Sequence, residues 1–239
     1  MSKIFKAFYL ILLLVVPNTL YAQMFSISER KEKENMSNNY IRIGTVITDF
    51  KYVGDLNEAD QELLEVKKPI LGVSVKAGVL TTEVAYGNSL LGIKDGKFIN
   101  VNLMVKQDLT IVRKRKLKFG FPIELNGGMT SSSNDFSSNS FNQNYYSAGS
   151  GIFINISPKM KIDIKNHLIF GYGLSNNRSG FFGGSINYIK GGARIDFINI
   201  MYERNLSLEY NYIFRSFDVD GEVYDYKYKG HSITIGISL

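Results

Sequence analysis

The chain has 239 residues, with 28 lysines and arginines against 22 aspartates and glutamates, and it contains no cysteine. The length fits one domain of the barrel type. The absence of cysteine excludes disulfides, thiolate nucleophiles and cysteine metal sites. The small excess of positive charge is a weak indication of nucleic-acid binding, so we expect no nucleic-acid partner.

The N-terminus predicts a secretory signal peptide over residues 1–22. A short basic stretch, MSKIFK, precedes the ten apolar residues AFYLILLLVV, and Ala22 supplies the small residue of a cleavage site. The alternative is a membrane anchor, but the apolar run is shorter than the roughly 20 residues that a spanning helix needs. Residues 23–39 carry mixed charge and few apolar groups, which predicts a solvated periplasmic leader.

From Tyr40 to the end, residues 40–239, apolar and polar residues alternate in many stretches, and this period of two predicts strands. The one candidate helix is NEADQELLEVKK, residues 57–68, between two strands. Ten strands are predicted, over residues 40–52, 69–77, 79–93, 96–112, 116–127, 145–157, 160–173, 184–200, 205–218 and 229–239.

Strands of a soluble β-sandwich and of a membrane barrel both show alternating apolar and polar residues. The lengths of the connections between strands therefore have to distinguish the two folds. From the middle of the chain onward, short turns such as PKM and YERN alternate with long connections such as SNNRSGFFGG and DVDGEVYDYKYKG. Short turns at one end and longer loops at the other are typical of transmembrane barrels, whose apolar faces contact lipid. The predicted fold class is therefore all-β, an antiparallel transmembrane β-barrel of about ten strands.

The strand number has an alternative of eight, in which residues 69–87 form one strand with a bulge at Gly78 and residues 40–52 lie outside the wall. Bulges are also predicted at Pro122, because proline removes a donor from the ladder, and at Gly191–Gly192, where the apolar parity shifts from Ile186 and Tyr188 to Ala193 and Ile195.

Aromatic residues cluster where the predicted strands meet loops, which predicts girdles at the two membrane interfaces. They are Tyr145, Tyr146, Tyr172, Phe181, Phe182, Tyr202, Tyr224, Tyr226 and Tyr228. The stretch MTSSSNDFSSNSFNQN, residues 129–144, is rich in serine and asparagine and holds few apolar groups. It predicts the principal extracellular loop, with too little apolar surface to order itself.

Several segments resemble one known family, the outer-membrane β-barrel proteins of the Bacteroidota type. The resemblance lies in a signal that ends YAQ, a first strand IRIGTVITDF, the strand LTTEVAYGNS with Glu83 and Tyr86, and a chain that ends within its last strand. It implies a location in the cell outer membrane. It also implies that outer-membrane lipid, lipopolysaccharide and the outer-membrane assembly machinery are partners.

The faces opposite the apolar ones gather seven basic and five acidic residues, and this near balance predicts that most of them pair inside the barrel. A barrel of eight to ten strands is filled by its own side chains, whereas porins need roughly 16 to 18 strands. The predicted polar network of the lumen comprises Arg42, Lys76, Glu83, Lys106, Lys118, Glu124, Asp163, Lys165, His167, Arg194, Asp196, Glu209 and Arg215.

Catalytic signals are sparse. His167 lies on the predicted lumen face near Asp163, which could orient it as a general base, but membership of the polar network is the favoured interpretation. His231 lies on the predicted lipid face. Asp218, Asp220 and Glu222 share one loop and could hold a divalent cation, although a solvated hairpin loop is favoured.

The sequence therefore predicts no enzyme activity, no cofactor and no metal site. The favoured function is a structural or surface-binding role of the extracellular loops, with an extracellular or periplasmic protein as a further partner. A narrow channel for small solutes and an outer-membrane hydrolase are the alternatives.

Overall fold

The computed structural model of the protein describes residues 39–54, 64–88, 93, 96–136, 140–177, 183–201, 204–219 and 225–239. The predicted signal peptide at 1–22 lies outside the described residues, as does the predicted leader at 23–39 except for its last residue. That residue, Asn39, is joined to the final strand, because its carbonyl oxygen accepts a hydrogen bond from the backbone amide of Leu239 at 3.0 Å.

Ten antiparallel strands in the described residues form a closed barrel, in which each strand pairs with its neighbours in sequence and β1 pairs with β10. The predicted strand number of ten is thereby confirmed. The strands are β1 Tyr40–Tyr52, β2 Val66–Ala77, β3 Leu80–Gly87, β4 Gly96–Lys114, β5 Leu117–Asn134, β6 Ser140–Lys159, β7 Ile162–Asn177, β8 Gly184–Met201, β9 Arg204–Val219 and β10 Tyr226–Ser238.

The eight-strand alternative is wrong, because β1 belongs to the wall and closes it between β2 and β10. Its proposed bulge is instead a tight turn between β2 and β3, formed by Gly78 and Val79. Gly78 has a φ of 60°, which glycine adopts without the steric cost that a side chain brings. The Asn39 side-chain oxygen accepts a hydrogen bond from the Gly78 amide at 2.8 Å and holds the turn.

The predicted helix at 57–68 is wrong over residues 65–68; Leu64 lies in a 3-10 turn, and residues 57–63 lie outside the described residues. Residues 66–68 begin β2, where Val66 pairs with Phe50 of β1. Tertiary pairing overrides the helical pattern there, because Val66 is buried inside the barrel. No helix in the described part of the chain is long and apolar enough to cross a bilayer.

The barrel has two different ends. At one end, which we term the short-turn end, two residues join each successive pair of strands: Gly78–Val79, Arg115–Lys116, Met160–Lys161 and residues 202–203. At the other end, termed the loop end, the connections are 53–65, 88–95, 135–139, 178–183 and 220–225. The alternation of short and longer connections follows the prediction.

The predicted loop at 129–144 is mostly strand, because β5 runs to Asn134 and β6 starts at Ser140. Hydrogen bonds replace apolar packing here: the Ser131 hydroxyl donates to the Asn142 side-chain oxygen at 2.6 Å. Phe141 points into the barrel and is 5% exposed. The backbone ladder and one buried ring therefore order a segment whose composition predicted disorder.

Two predicted bulges are absent. Phe121 and Pro122 of β5 have no ladder partner in β6, and the pairing continues in the same register on both sides of them. The Pro122 carbonyl accepts a hydrogen bond from the Ser150 hydroxyl at 2.8 Å. Gly191 and Gly192 pair with both β7 and β9 without a shift. The irregularities of the described ladders lie towards the short-turn end, for example at Ile111 of β4.

Candidate functional site

The interior of the barrel holds all residues of the predicted polar network. Its buried members are Arg42, Glu124, Asp196, Glu209 and Arg215. The half-buried members are Lys76, Glu83, Lys106, Lys118, Asp163, Lys165, His167 and Arg194. Strand alternation brings these side chains to one face of the sheet, and closure of the sheet turns that face into the lumen.

A group of three charged side chains, which we term the central charge group, crosses the lumen. It consists of Lys190 on β8, Glu83 on β3 and Glu124 on β5. The Lys190 ammonium lies 3.5 Å from a Glu83 carboxylate oxygen and 3.8 Å from a Glu124 carboxylate oxygen. Lys190 is 6% exposed and Glu124 is 1% exposed, so both charges depend on protein partners rather than water.

Neutral polar side chains complete the central charge group. The Asn126 amide donates to the Glu124 carboxylate at 2.8 Å and to the Tyr188 hydroxyl oxygen at 2.9 Å. The Tyr188 hydroxyl donates to the same carboxylate at 3.3 Å. The Asn102 amide donates to Glu83 at 3.3 Å. These contacts join strands from different sides of the barrel into one packed polar core.

Lys190 and Tyr188 are two interior residues of β8 that the sequence prediction missed. The predicted bulge at Gly191–Gly192 assigned Ile186 and Tyr188 to the lipid face, whereas they are 0% and 4% exposed inside the barrel. The parity of Ala193 and Ile195, continued unchanged towards the N-terminus, places Lys190 inside. The unbroken parity of β8 could therefore have predicted an inward Lys190. It was overlooked because Ile186 and Tyr188 are apolar and were assigned to the lipid face.

Two arginines fill the lumen on either side of the central charge group. Arg42 forms a salt bridge with Glu209, and its Nε donates to the Ser207 hydroxyl at 3.3 Å. Arg215 crosses from β9 to β4, where it donates to the Asn100 side-chain oxygen at 2.8 Å. Its guanidinium carbon also lies 4.7 Å from the centre of the Tyr145 ring, within cation–π range.

Further ion pairs lie towards the short-turn end. Asp196 lies 2.8 Å from the Lys165 ammonium and 2.9 Å from an Arg194 guanidinium nitrogen. Lys106 lies 3.7 Å from Asp108. Among the described residues, eight of the twelve charged members of the network form ion pairs, as the sequence predicted for most of them. The four members without an ion pair there are Lys76, Lys118, Asp163 and Arg215.

The candidate catalytic histidine has no acid partner in the described structure. Asp163, which could have oriented His167, accepts a hydrogen bond from the Ser157 hydroxyl at 2.6 Å. The buried Nε2 of His167 has no hydrogen-bond partner among the described residues. His231 lies on the exterior, where its Nδ1 is 2.9 Å from the Tyr210 hydroxyl.

The predicted cation loop is only partly described. Asp220 and Glu222 lie outside the described residues, and Asp218 accepts a hydrogen bond from the Ser185 hydroxyl at 3.4 Å. Across the residues that the structure describes, no group of three histidine or acidic side chains could hold a metal ion.

A cluster of eight aromatic side chains fills the lumen near the loop end, and we term it the aromatic plug. Its members are Phe50, Tyr52, Phe98, Phe141, Tyr145, Phe217, Tyr226 and Tyr228, all buried. The Phe50 and Tyr226 rings stack with centroids 4.8 Å apart, and the Phe141 centroid lies 4.4 Å from that of Tyr226. Leu64 and Ile93, from two loop-end connections, join the same core.

Part of the predicted aromatic girdle lies inside the barrel, in the aromatic plug. Tyr146 and Tyr172 lie on the exterior, 69% and 58% exposed, as predicted. Tyr145, Tyr226 and Tyr228 instead occupy inward positions of β6 and β10, so their assignment to an interface was wrong. The remaining predicted members, Phe181, Phe182, Tyr202 and Tyr224, lie outside the described residues.

Little space is left between the plug and the charged groups. A cavity of about 80 Å³ lies between Arg42, Glu83, Lys190, Glu209 and Arg215. A single water occupies roughly 10–15 Å³ on this measure, so the cavity has room for a few water molecules. The lumen is therefore packed with side chains, as the predicted strand number implied.

The outer surface is apolar over a continuous band, which we term the apolar belt. Large apolar side chains on every strand are exposed there, including Ile43, Leu125 and Ile235 at 57% each and Leu208 at 45%. A water-soluble protein rarely exposes a contiguous apolar surface of this extent, whereas a barrel in lipid requires it. The protein is a membrane β-barrel.

Comparison with known proteins finds similarity to solved outer-membrane barrels. No family model and no curated protein matches the chain. The outer membrane protease OmpT from Escherichia coli is 9% identical with a TM-score of 0.40, over 84% of this chain and 96% of that one.

Two further structures are similar over 84% of this chain. The attachment invasion locus protein Ail of Yersinia pestis, solved with the heparin analogue sucrose octasulfate, is 13% identical over 97% of its length with a TM-score of 0.30. The P. putida toluene transporter TodX is 9% identical over 88% of its length with a TM-score of 0.25. These three proteins differ in activity, and the similarity is too low to assign any of them here.

Proposed function

We propose that this protein resides in the outer membrane with its loop end outward, and that it has a structural or surface-binding role without catalysis. The observation that carries the proposal is the filled lumen. The aromatic plug closes the loop end, and the central charge group joins opposite walls below it. A barrel packed in this way presents its loop end, rather than a passage, to the outside. The predicted signal peptide at 1–22 supports export.

The β5–β6 hairpin is the part of the loop end that we propose as the contact with an external partner. It continues to Asn134 and from Ser140 as an ordered ladder, and Phe136 near its tip is 77% exposed. Its outward side chains, including Ser131 and Asn142, are uncharged and polar. An ordered ladder with an exposed ring near its tip can bind a partner without a large loss of backbone entropy.

The orientation is testable because the chain contains no cysteine. Single variants Phe136→Cys and Met160→Cys place a thiol at opposite ends of the barrel, at positions that are 77% and 96% exposed. We expect a membrane-impermeant maleimide to label Phe136→Cys on intact cells, and to label Met160→Cys only after the outer membrane is permeabilised. The wild-type chain serves as the background control.

The opposite labelling pattern would contradict the proposed orientation. Labelling of neither variant in membranes, with both recovered in the soluble periplasm after osmotic shock, would contradict residence in the outer membrane. Both variants change exposed side chains, so we expect assembly to be retained, and faster migration of unheated protein on a denaturing gel checks the fold.

The narrow channel is the second candidate, and a packed lumen argues against it. We expect refolded protein in planar lipid bilayers to show no discrete conductance steps at neutral pH. The plug side chains fill the lumen near the loop end, and Lys190, Glu83 and Glu124 lie beside a cavity of about 80 Å³. Reproducible steps that are absent from mock preparations would favour the channel over the surface role.

A further inference from the structure

A row of hydrogen-bond donors crosses the inner wall near the short-turn end. Five residues lie side by side on β4 to β8, each the direct cross-strand partner of the next, and we term them the donor row. They are Arg113, Lys118, Asn155, Lys165 and Arg194. Four of them are basic and none is acidic. The row therefore presents guanidinium, ammonium and amide donors along one strip of the lumen wall.

A bulge in β4 brings Arg113 into this row. The ladder between β4 and β5 shifts between Thr110 and Val112, so that Ile111 has no partner. Without the extra residue, Arg113 would take an outward position; with it, Arg113 pairs with Lys118. Lys118 lies on the face of β5 that turns into the barrel. Bulges often redirect a side chain towards a functional site, and this one places a second cation beside Lys118.

The first three members of the donor row are unoccupied by protein groups. Among the described residues, no ion pair and no side-chain hydrogen bond engages Arg113, Lys118 or Asn155. Arg113 and Lys118 are like charges directly opposite each other, which destabilises an antiparallel ladder. An anion placed between them would replace this repulsion by two charge-assisted hydrogen bonds.

The charges around the donor row leave a positive surplus. In the described chain, inward positions between the central charge group and the short-turn end carry six basic and three acidic residues. They are Lys76, Lys106, Arg113, Lys118, Lys165 and Arg194 against Asp108, Asp163 and Asp196. Asp163 counts as charged, because the hydrogen bond that it accepts from Ser157 does not neutralise it. This half of the lumen keeps a surplus of three positive charges.

The groups next to this half do not cancel the surplus. Arg42 and Glu209 lie beside it and form a salt bridge with each other. The central charge group holds one more acid than base, and Arg215, which lines the same small pocket as Lys190 and Glu124, restores the balance there. The three unmatched charges therefore remain on the short-turn side, with the unpaired Arg113 and Lys118 among them.

The position of the donor row determines what can reach it. Lys118, Asn155, Lys165 and Arg194 are half-buried, and Arg113 is exposed near the end of β4. The row faces the lumen, whereas the apolar belt and the lipid lie on the other side of the wall. Because the aromatic plug fills the lumen near the loop end, the short-turn end is the accessible side. A soluble anion fits this position, and a lipid headgroup does not.

We propose that the donor row binds a small soluble solute that carries two phosphate groups. Neighbouring positions of the row are about 4.8 Å apart, so Arg113, Lys118 and Asn155 cover roughly 10 Å, more than one phosphate spans. A phosphate monoester carries about 1.5–2 negative charges at neutral pH, so two of them match the surplus. Arg113 offers a planar fork for two hydrogen bonds to one phosphate, and Lys118 offers a point charge.

This inference goes beyond the proposed surface-binding role and does not depend on which end of the barrel faces outward. Isothermal titration calorimetry of the purified barrel in non-ionic detergent tests it, with inorganic pyrophosphate as the probe. The site variant carries Arg113→Gln and Lys118→Gln. The matched control carries Lys114→Gln and Arg115→Gln. Lys114 pairs with Leu117 on the outward face and Arg115 lies in the turn, so the control makes the same change in charge outside the row.

We expect the wild type to bind one pyrophosphate per barrel. The site variant should bind it about 100-fold more weakly, at roughly tenfold for each lost charge-assisted contact. The control should bind within about threefold of wild type in 0.15 M salt, because its exposed charges are screened. Equal losses in the two variants would overturn the proposal, because they would indicate attraction to the general charge of this end. Absence of pyrophosphate binding by the wild type would also overturn it.

Two further probes test the class of ligand. Orthophosphate should bind at least about tenfold more weakly than pyrophosphate, because it reaches only part of the row. Citrate should also bind more weakly, because each carboxylate has two acceptor oxygens where a phosphate has three. Orthophosphate that binds as tightly as pyrophosphate would contradict a ligand with two phosphates. Citrate that does so would contradict phosphate as the recognised group.

A conservative variant separates binding from folding. Lys118→Arg keeps the charge and should bind pyrophosphate within about threefold of wild type, whereas Lys118→Gln should lose roughly tenfold. Without ligand, the Lys118→Gln barrel should be at least as resistant to denaturant as wild type, because a repulsive cross-strand pair is removed. Added pyrophosphate should then stabilise wild type and Lys118→Arg more than Lys118→Gln.

Equal stabilisation of all three barrels by pyrophosphate would contradict a role of Lys118 in binding. Because these assays use purified protein, their failure is distinguishable from inverted labelling of Phe136→Cys and Met160→Cys on cells.

Discussion

Replacing Lys190 with methionine is expected to lower the free energy of unfolding by about 3–5 kcal/mol, the cost of breaking a buried charge pair from one side. The substitution removes the cation that faces the Glu83 and Glu124 carboxylates at 3.5 and 3.8 Å. Glu124, which is 1% exposed, would be left with hydrogen bonds but without a counter-charge. Denaturant titration of the barrel refolded into lipid vesicles measures the change.

Two control variants test whether the effect of Lys190→Met is specific to the central charge group. The triple variant Lys190→Met, Glu83→Gln and Glu124→Gln should recover most of the loss, because it removes the whole ionic group rather than one member. Lys161→Met, at an exposed turn, should change stability by less than about 0.5 kcal/mol. A Lys190→Met barrel as stable as the Lys161→Met barrel would mean that the central charge group is not formed.

Replacing Phe141 with alanine is expected to cost about 3–5 kcal/mol of unfolding free energy, the range for truncating a buried phenylalanine. Its ring packs against Phe50, Phe217 and Tyr226 with centroid distances of 5.0, 5.5 and 4.4 Å. The cavity left behind is enclosed by the rigid wall, so the neighbouring rings can close it only in part. The same denaturant titration measures the change.

The control for the plug lies a few residues away on the same hairpin. Phe136 is 77% exposed whereas Phe141 is 5% exposed. Phe136→Ala should therefore change stability by less than about 0.5 kcal/mol. Similar losses for both variants would mean that Phe141 does not insert into the lumen and that the loop end is not closed by aromatic packing.

The alternation of apolar and polar residues predicted the barrel because it reports directly which side chains face lipid. In β9, Leu206, Leu208 and Tyr210 alternate with Ser207 and Glu209, and the structure keeps this parity along the whole strand. Lipid accepts only apolar side chains, so each outward position is constrained separately and the constraint is visible in a single sequence. The same alternation assigned every residue of the predicted polar network to the interior side of its strand.

The errors occurred where side-chain type does not distinguish the two faces. Tyr228 and Tyr146 are both tyrosines near a predicted boundary between strand and loop. Tyr228 is nevertheless 1% exposed within the plug, whereas Tyr146 is 69% exposed on the outer surface of the barrel. The Ser131–Asn142 bond orders a segment that has almost no apolar surface. Aromatic rings suit both an interface and a closed interior, and serine or asparagine suits both a loop and a hydrogen-bonded ladder.

The sequence by itself determined the alternating faces of the strands and the collection of charges on the inward side, because both follow from local periodicity. It favoured ten strands and left eight open, and the pairing of β1 with β2 and β10 decided for ten. Only the tertiary structure decided which charges meet. Lys190 and Glu83 are 107 residues apart in the chain, and they reach each other because the closed sheet places β8 across the lumen from β3. Closure and stagger of the strands are properties of the whole barrel, and no local segment of the sequence encodes them.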